Sequence, residues 1–334
     1  LSKLDDSVNE RGIPAAEIGP DQVGETLAAL VRELSPGTSW SKARELCRSG
    51  RVWLNGQRET DPARRLAAGE RVELRSGEPA LRREPAAAVV HLDADIVVVR
   101  KPAGLLTVPF EKDDRDTLLS LTRVAVRRLE SARGQETNPS LRAVQRLDKD
   151  TSGLVVFARN VRAQRLLQEQ LGEHTVTRRY LALVHGAAED AIYDTLLVHD
   201  RGDGLRGSWG VFRPAPASSR ETNPPEGARN ATTYVSVLER LRRATLMSCA
   251  LETGRQHQIR IHLAEAGHPL VGETVYIRDW HGPGPLIEAP RLMLHAAVLG
   301  FIHPRTNRAV EFADPPPADF EAVLERLRRP GVKP

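Results

Sequence analysis

Apolar positions recur at helical spacing early in the chain. Leu27, Leu30, Val31 and Leu34 fall at i, i+3, i+4 and i+7, and Ser35, Pro36 and Gly37 then break the run, which predicts one short helix. Ser41 caps a second helix over Lys42 to Arg48, stopped by Gly50, and Arg51 to Leu54 reads as a strand running into the hairpin turn Asn55-Gly56. From residue 76 to 88, Pro, Arg and Glu replace the apolar periodicity and predict a linker. Beyond it, β-branched and apolar runs at 89–92, 96–100, 154–158, 175–184, 232–238 and 244–251 predict strands. Helices fall irregularly between them, over 117–129 capped by Asp116, over 161–171 between Asn160 and Gly172, and over 319–327. A long sheet with flanking helices is an α+β architecture. Asp200 to Gly227 carries many Gly, Pro, Ser and Arg with almost no periodicity, and predicts a long exposed loop.

These patterns divide the 334 residues into a flexible tail (1–23), a small domain (24–76), a linker (77–88) and a larger domain (89–330). The first twenty residues are polar, lack an apolar targeting core and do not begin with methionine, which reads as a frayed or trimmed tail. At 40% hydrophobic and 28% charged residues the composition is that of a folded protein, and no apolar run approaches the roughly 20 residues of a membrane-crossing helix. A formal net charge of +4 permits polyanion binding without requiring it. Two cysteines, Cys47 and Cys249, cannot build a disulfide framework or a cysteine-based zinc site, so a reducing cytoplasm is expected.

Charge clusters locally. Lys42, Arg44, Arg48 and Arg51 stand against the single acid Glu45, either as a solvated face or as an RNA-binding patch. Between Arg123 and Arg146 six arginines meet two glutamates. The segment Gln145-Arg146-Leu147-Asp148-Lys149-Asp150-Thr151-Ser152-Gly153 puts a charged turn directly before a buried strand, at a sheet edge where a cleft can form. Read alone, Asp148 and Asp150 are turn residues bonding their own backbone. His257 and His262 lack zincin spacing and a third ligand, so no metal is assigned. Gly202-Asp203-Gly204 lacks the context of a phosphate loop.

With its apolar continuation Leu154-Val155-Val156, that segment resembles the nucleophile motif H-R-L-D-x-x-T-S-G of the RluA family of pseudouridine synthases. Further matching segments follow in the family's order: Lys101 to Leu105, Tyr180 to Val184, Thr253 to Leu263 continuing through Gly267 to Gly272, and Arg291 to Ala296. The small domain is similar to the S4-type RNA-binding domain of a small-subunit ribosomal protein. The resemblance implies a mixed, largely antiparallel catalytic sheet and isomerisation of uridine in structured RNA, ribosomal first and transfer RNA second, with no cofactor. It implies Asp148 as the nucleophile, Arg260 as its cationic partner on a helix beginning near Ile259, and Tyr180 as the phenol that stacks on uracil and aids proton transfer at carbon 5. Strand alternation places Val176, Tyr180, Ala182 and Val184 on one face. Arg146 is implied to fill the space left by an extruded base, and Lys101 to touch a phosphate or to stabilise a turn. Whether Asp148 attacks the sugar or the ring stays open.

Gln145 stands where the family usually has histidine. Glutamine keeps hydrogen bonding but not titration, so activity is expected to survive. A non-catalytic RNA-binding or ribosome-assembly factor of the same fold, and a small-molecule hydrolase using Asp148 with a histidine base, are the alternative readings. A monomer is the default expectation.

Overall fold

The computed structural model describes residues 15–48, 51–59, 61–75, 87–109, 114, 116–211, 224–277, 280, 282 and 284–328. The chain divides into two compact units, Leu1–Glu84 and Pro85–Pro334.

In the first unit, β1 (Ala15–Glu17) is followed by α1 (Leu27–Leu34), α2 (Trp40–Arg48), β2 (Val52–Leu54), β3 (Gln57–Arg58) and β4 (Arg71–Leu74). The Thr26 hydroxyl caps α1 by accepting from the Ala29 N–H, and Leu27, Leu30 and Val31 are fully buried along one stripe. Asn55 and Gly56 both take positive φ, the conformation a two-residue hairpin requires. The antiparallel sheet runs in the order β1-β4-β2-β3 and closes over a core that includes Ile18, Leu54 and Val72. The expected flexible tail over 1–23 is therefore corrected for residues 15–23; residues 1–14 lie outside the described residues. Residues 15–17 pair with 71–73, and Ile18 enters the core because the outer edge of β4 would otherwise be unpaired. Most of the expected linker, 76–86, lies outside the described residues.

The second unit contains β5 (Ala88–Leu92), β6 (Ile96–Lys101), α3 (Leu118–Ala132), β7 (Arg142–Ala143), β8 (Ser152–Ala158), α4 (Val161–Gly172), β9 (Thr177–His185), β10 (Ala191–Val198), β11 (Gly207–Ser208), β12 (Arg229–Leu241), β13 (Ala244–Leu251), α5 (Gln258–Glu265), β14 (Leu294–Ile302), β15 (Ala309–Ala313) and α6 (Ala318–Arg328). Among the described residues its sheet runs β11-β10-β12-β13-β9-β14-β8-β6-β5, with β15 added to β14 and β7 to β8. The β14–β8 pairing is parallel and the other pairings are antiparallel, so the architecture is α+β with a mixed, largely antiparallel sheet. Both faces of its centre are covered. Val155 and Phe157 of β8 pack with α3 and α5, whereas Leu154, Val156 and Ala158 pack with α4 on the opposite face. That two-sided burial is why β6 and β8 read as unbroken apolar runs.

Several local expectations change. The cap of α3 is Thr117, whose hydroxyl accepts from the Ser120 N–H while the Ser120 hydroxyl accepts from the Thr117 N–H; Asp116 does not take this place. Val176 packs with the α4 face, not with Tyr180, Ala182 and Val184. The segment expected as a featureless loop after Asp200 contains β11, anchored by the buried Arg201, which pairs with Asp203 and Glu265; residues 212–223 lie outside the described residues.

Candidate active site

The turn between β7 and β8 carries Arg146 and Asp148, and its backbone is fixed from below. The Thr107 hydroxyl donates to the Leu147 carbonyl (2.9 Å) and accepts from the Leu147 N–H (3.1 Å). The Lys101 ammonium donates to the carbonyls of Lys149 and Thr151, each at 2.7 Å, and of Pro102 at 3.1 Å. This corrects the expectation that Lys101 touches RNA: at 1% exposure its three N–H donors are spent on backbone carbonyls. Burial pushes its pKa down to about 7, against the opposing pull of Asp150 and Asp148.

Asp148 opens onto a cavity of about 470 Å³ that is also lined by Gln145, Arg146, Tyr180, His257 and Arg260. Its side chain is 24% exposed, so the carboxylate is reachable from solvent yet belongs to the pocket wall. Tyr180 comes from β9, where cross-strand neighbours Cys249 and Ala296 enclose it. Burial pushes the phenol up to about 12; Arg178 pulls it down, and Asp148 adds to the rise. Arg146 is exposed and Gln145 half-buried.

Arg260 lies on α5, buried, with a different partner from the one expected. Its Nε and one terminal nitrogen donate to the two carboxylate oxygens of Glu273 at 2.8 and 2.7 Å. Asp148 acts on Arg260 only as a more distant charge that raises its pKa together with Glu273. The direct Asp148–Arg260 pair is thus corrected to an Arg260–Glu273 fork, and the physical reason is burial. The Glu273 side chain is fully enclosed, and such a carboxylate requires a bidentate cation. Burial would raise the Glu273 carboxyl, but Arg260 and the N–H groups of Val275 and Tyr276 hold it below its ordinary range. The turn that brings Glu273 back over α5 depends on Gly272, whose φ is +81° and where a Cβ would sit 1.9 Å from the Arg291 carbonyl oxygen.

His257 lies beside Asp148, with Nε2 4.0 Å from Oδ1. It caps α5 in the left-handed region at φ 59°, a strained conformation for a non-glycine residue, and its Nδ1 is 2.8 Å from the Tyr276 hydroxyl. Burial holds the imidazole below its ordinary pKa, with Asp148 opposing and Arg260 reinforcing the shift. His257, Glu273, Tyr276 and the pocket-lining Arg178 were not assigned from sequence. His257 sits inside the Thr253 to Leu263 motif and Glu273 directly follows Gly272, so position offered a signal; Arg178 lies two residues before Tyr180, on the same strand face.

In the first unit Lys42 is exposed and pairs with Glu45 at 3.0 Å, and Arg44 and Arg51 are exposed. The Arg48 side chain lies outside the described residues. Elsewhere, His91, Asp93 and His303 lie close enough to suggest a metal site. The N–H groups of Arg305 and Thr306 point at the His303 Nδ1, however, so its Nε2 carries the proton donated to Asp93. The cluster is a hydrogen-bonded brace. Among the described residues, no helix is long and apolar enough to cross a membrane.

Residues 95–265 match the RNA pseudouridylate synthase family and residues 25–72 match the S4 domain. The chain is 33% identical over 330 residues to an uncharacterised RNA pseudouridine synthase of Bacillus subtilis, covering 97% of this chain and 100% of that one. It is 34% identical over 317 residues to ribosomal large subunit pseudouridine synthase D of Neisseria meningitidis, covering 91% of this chain and 79% of the relative. The solved structure of human RNA pseudouridylate synthase domain containing 4 shares the fold, with a TM-score of 0.59 and 22% identity over 72% of this chain and 93% of that one. With these matches over most of its length, the chain belongs to the RNA pseudouridylate synthase family.

Proposed function

We propose that this enzyme isomerises specific uridines of large-subunit ribosomal RNA to pseudouridine. Asp148 acts as nucleophile, Tyr180 stacks on the base and takes part in proton transfer at carbon 5, and Arg260, held in place by Glu273, lines the cavity wall. Arg146, exposed at the rim, occupies the space of the extruded nucleotide, and the S4 unit holds structured RNA through Lys42, Arg44, Arg48 and Arg51. The observation that carries the reading is that Asp148, Tyr180 and Arg260, from three distant segments, line one cavity. The exchange of a carbon–nitrogen for a carbon–carbon bond is redox-neutral, so the residues of the pocket suffice without a cofactor. A cytoplasmic monomer with one RNA-holding unit and one catalytic unit fits this task. The ribosomal substrate rests on the Neisseria meningitidis relative, whose name is that of a ribosomal large subunit enzyme.

The test is carbodiimide mapping of large-subunit ribosomal RNA incubated with the wild-type protein and with Asp148→Ala. New resistant adducts at defined uridines should appear with the wild type and vanish with the variant. Tight RNA binding without adducts from either protein would instead favour the non-catalytic factor, the reading that Gln145 raises.

A further inference from the structure

Arg178 is a buried cation that the roles above leave unused. It is 8% exposed, lines the cavity with Asp148 and Tyr180, and lies two residues from Tyr180 on β9, hence on the same face of the strand. One terminal nitrogen donates to the Glu252 carbonyl at 2.7 Å and reaches the Leu251 carbonyl at 3.4 Å. Its Nε is buried without any hydrogen-bond partner. Among the described residues no carboxylate lies within ion-pair distance of it. The other arginines of the cavity differ: Arg260 is forked onto Glu273, while Arg146 and Arg255 are exposed. The approach to Arg178 is kept open at Gly254, where a Cβ would fall 2.5 Å from its other terminal nitrogen.

Keeping a guanidinium buried without an acid carries a desolvation penalty that a visiting anion offsets. The chemistry supplies one. We propose that Arg178 is a catalytic residue that holds the detached uracil as an anion while it turns, an inference that rests on the isomerase reading above. When the bond between ring N1 and the ribose carbon breaks, its electron pair stays with uracil and spreads over N1, O2 and O4. Asp148 compensates the electron-deficient partner. The ring then turns, carbon 5 bonds to the ribose carbon, the carbon 5 proton leaves to a base, and N1 gains a proton. A fixed cation reduces the barrier of the first step by stabilising the charge that appears there and only there.

The experiment is single-turnover conversion of target RNA by the full-length protein, its Arg178→Gln and Arg178→Lys variants, and RNA binding by each. A matched RNA carries 5-fluorouridine at the target, whose fluorine stabilises the departing anion; consumption of that nucleoside is followed. Arg178→Gln keeps a polar amide on the same stem and loses the charge. It should slow uridine conversion about 100-fold with RNA affinity within about twofold, the size expected for losing a preorganised charge stabiliser. The loss on fluorouridine should be smaller, and Arg178→Lys should recover part of the rate. Equal losses on both substrates, or weakened binding at unchanged rate, would overturn the proposal and leave Arg178 as a brace or an RNA contact. If Arg178→Gln melts early, the substrate dependence of Arg178→Lys decides. Absence of conversion by the wild type would refute the isomerase reading itself, and the inference with it.

Discussion

Tyr180 is the side chain proposed to serve both stacking and proton transfer. Its ring is enclosed by strand neighbours while its hydroxyl shares the cavity with Asp148. Tyr180→Phe keeps the ring and removes the hydroxyl. Single-turnover conversion is expected to fall about 100- to 10,000-fold, the range of general acid–base steps, with RNA affinity unchanged within about threefold; parallel rapid-quench and filter-binding measurements check it. That Asp148 and Tyr180 belong to one site was suggested by the local motif each sits in, and the two line one cavity. The partner of Arg260 was not legible, since a helix with the right spacing shows that a guanidinium is held but not by what. That answer depended on the turn at Gly272, where two backbones approach, a property of three-dimensional closeness with no periodic signature.

At the scale of elements, the strand runs over β6, β8, β9 and β13 were readable from their apolar and β-branched content. β14 was missed as a strand: Leu294 to Ile302 is buried largely on both faces and includes Gly300, so it has no alternation to detect. β10 and β15 alternate but belong to the outer part of the sheet, where polar residues interrupt the run. The turn between β7 and β8 is tied to β6 through the Lys101 ammonium. Lys101→Met should leave three backbone carbonyls without their donor, destabilising the protein by about 3 kcal/mol and abolishing turnover, as thermal melting and conversion assays will read. α5 adds a pH dependence. His262 is buried between the hydroxyls of Thr195 and Thr233, and burial lowers its pKa to about 4. In that window the unfolded chain binds a proton that the folded chain refuses, so this histidine's contribution falls as pH drops from about 6.5 to about 4, by at most about 1.4 kcal/mol per unit. Melting curves of wild type and His262→Gln across this range should converge as the pH is lowered.

For the whole molecule, a net charge of only +4 means that RNA affinity comes from local clusters, not from a uniform field. Arg44 and Arg51 are exposed on the S4 unit and Arg146 at the cavity rim of the catalytic unit. Arg44→Ala combined with Arg51→Ala is expected to lower RNA affinity and reduce the slope of log affinity against log salt by about two, while leaving conversion at saturating RNA within about threefold of wild type. Salt titrations of binding with single-turnover rates test this. The two-unit division was visible in the sequence because a Pro-, Arg- and Glu-rich stretch separates two apolar patterns; the contribution of residues 15–18 to the first unit was not, because a three-residue edge strand is too short to show a period.

The account turns on a covalent role for the Asp148 carboxylate, and tritium release tests it most directly. Large-subunit ribosomal RNA transcribed with tritium at uracil carbon 5 should lose label to water with the wild-type enzyme, in whole-number stoichiometry per RNA. It should lose none above background with Asp148→Asn, a variant that keeps size and hydrogen bonding. Release by Asp148→Asn at the wild-type rate would contradict the account.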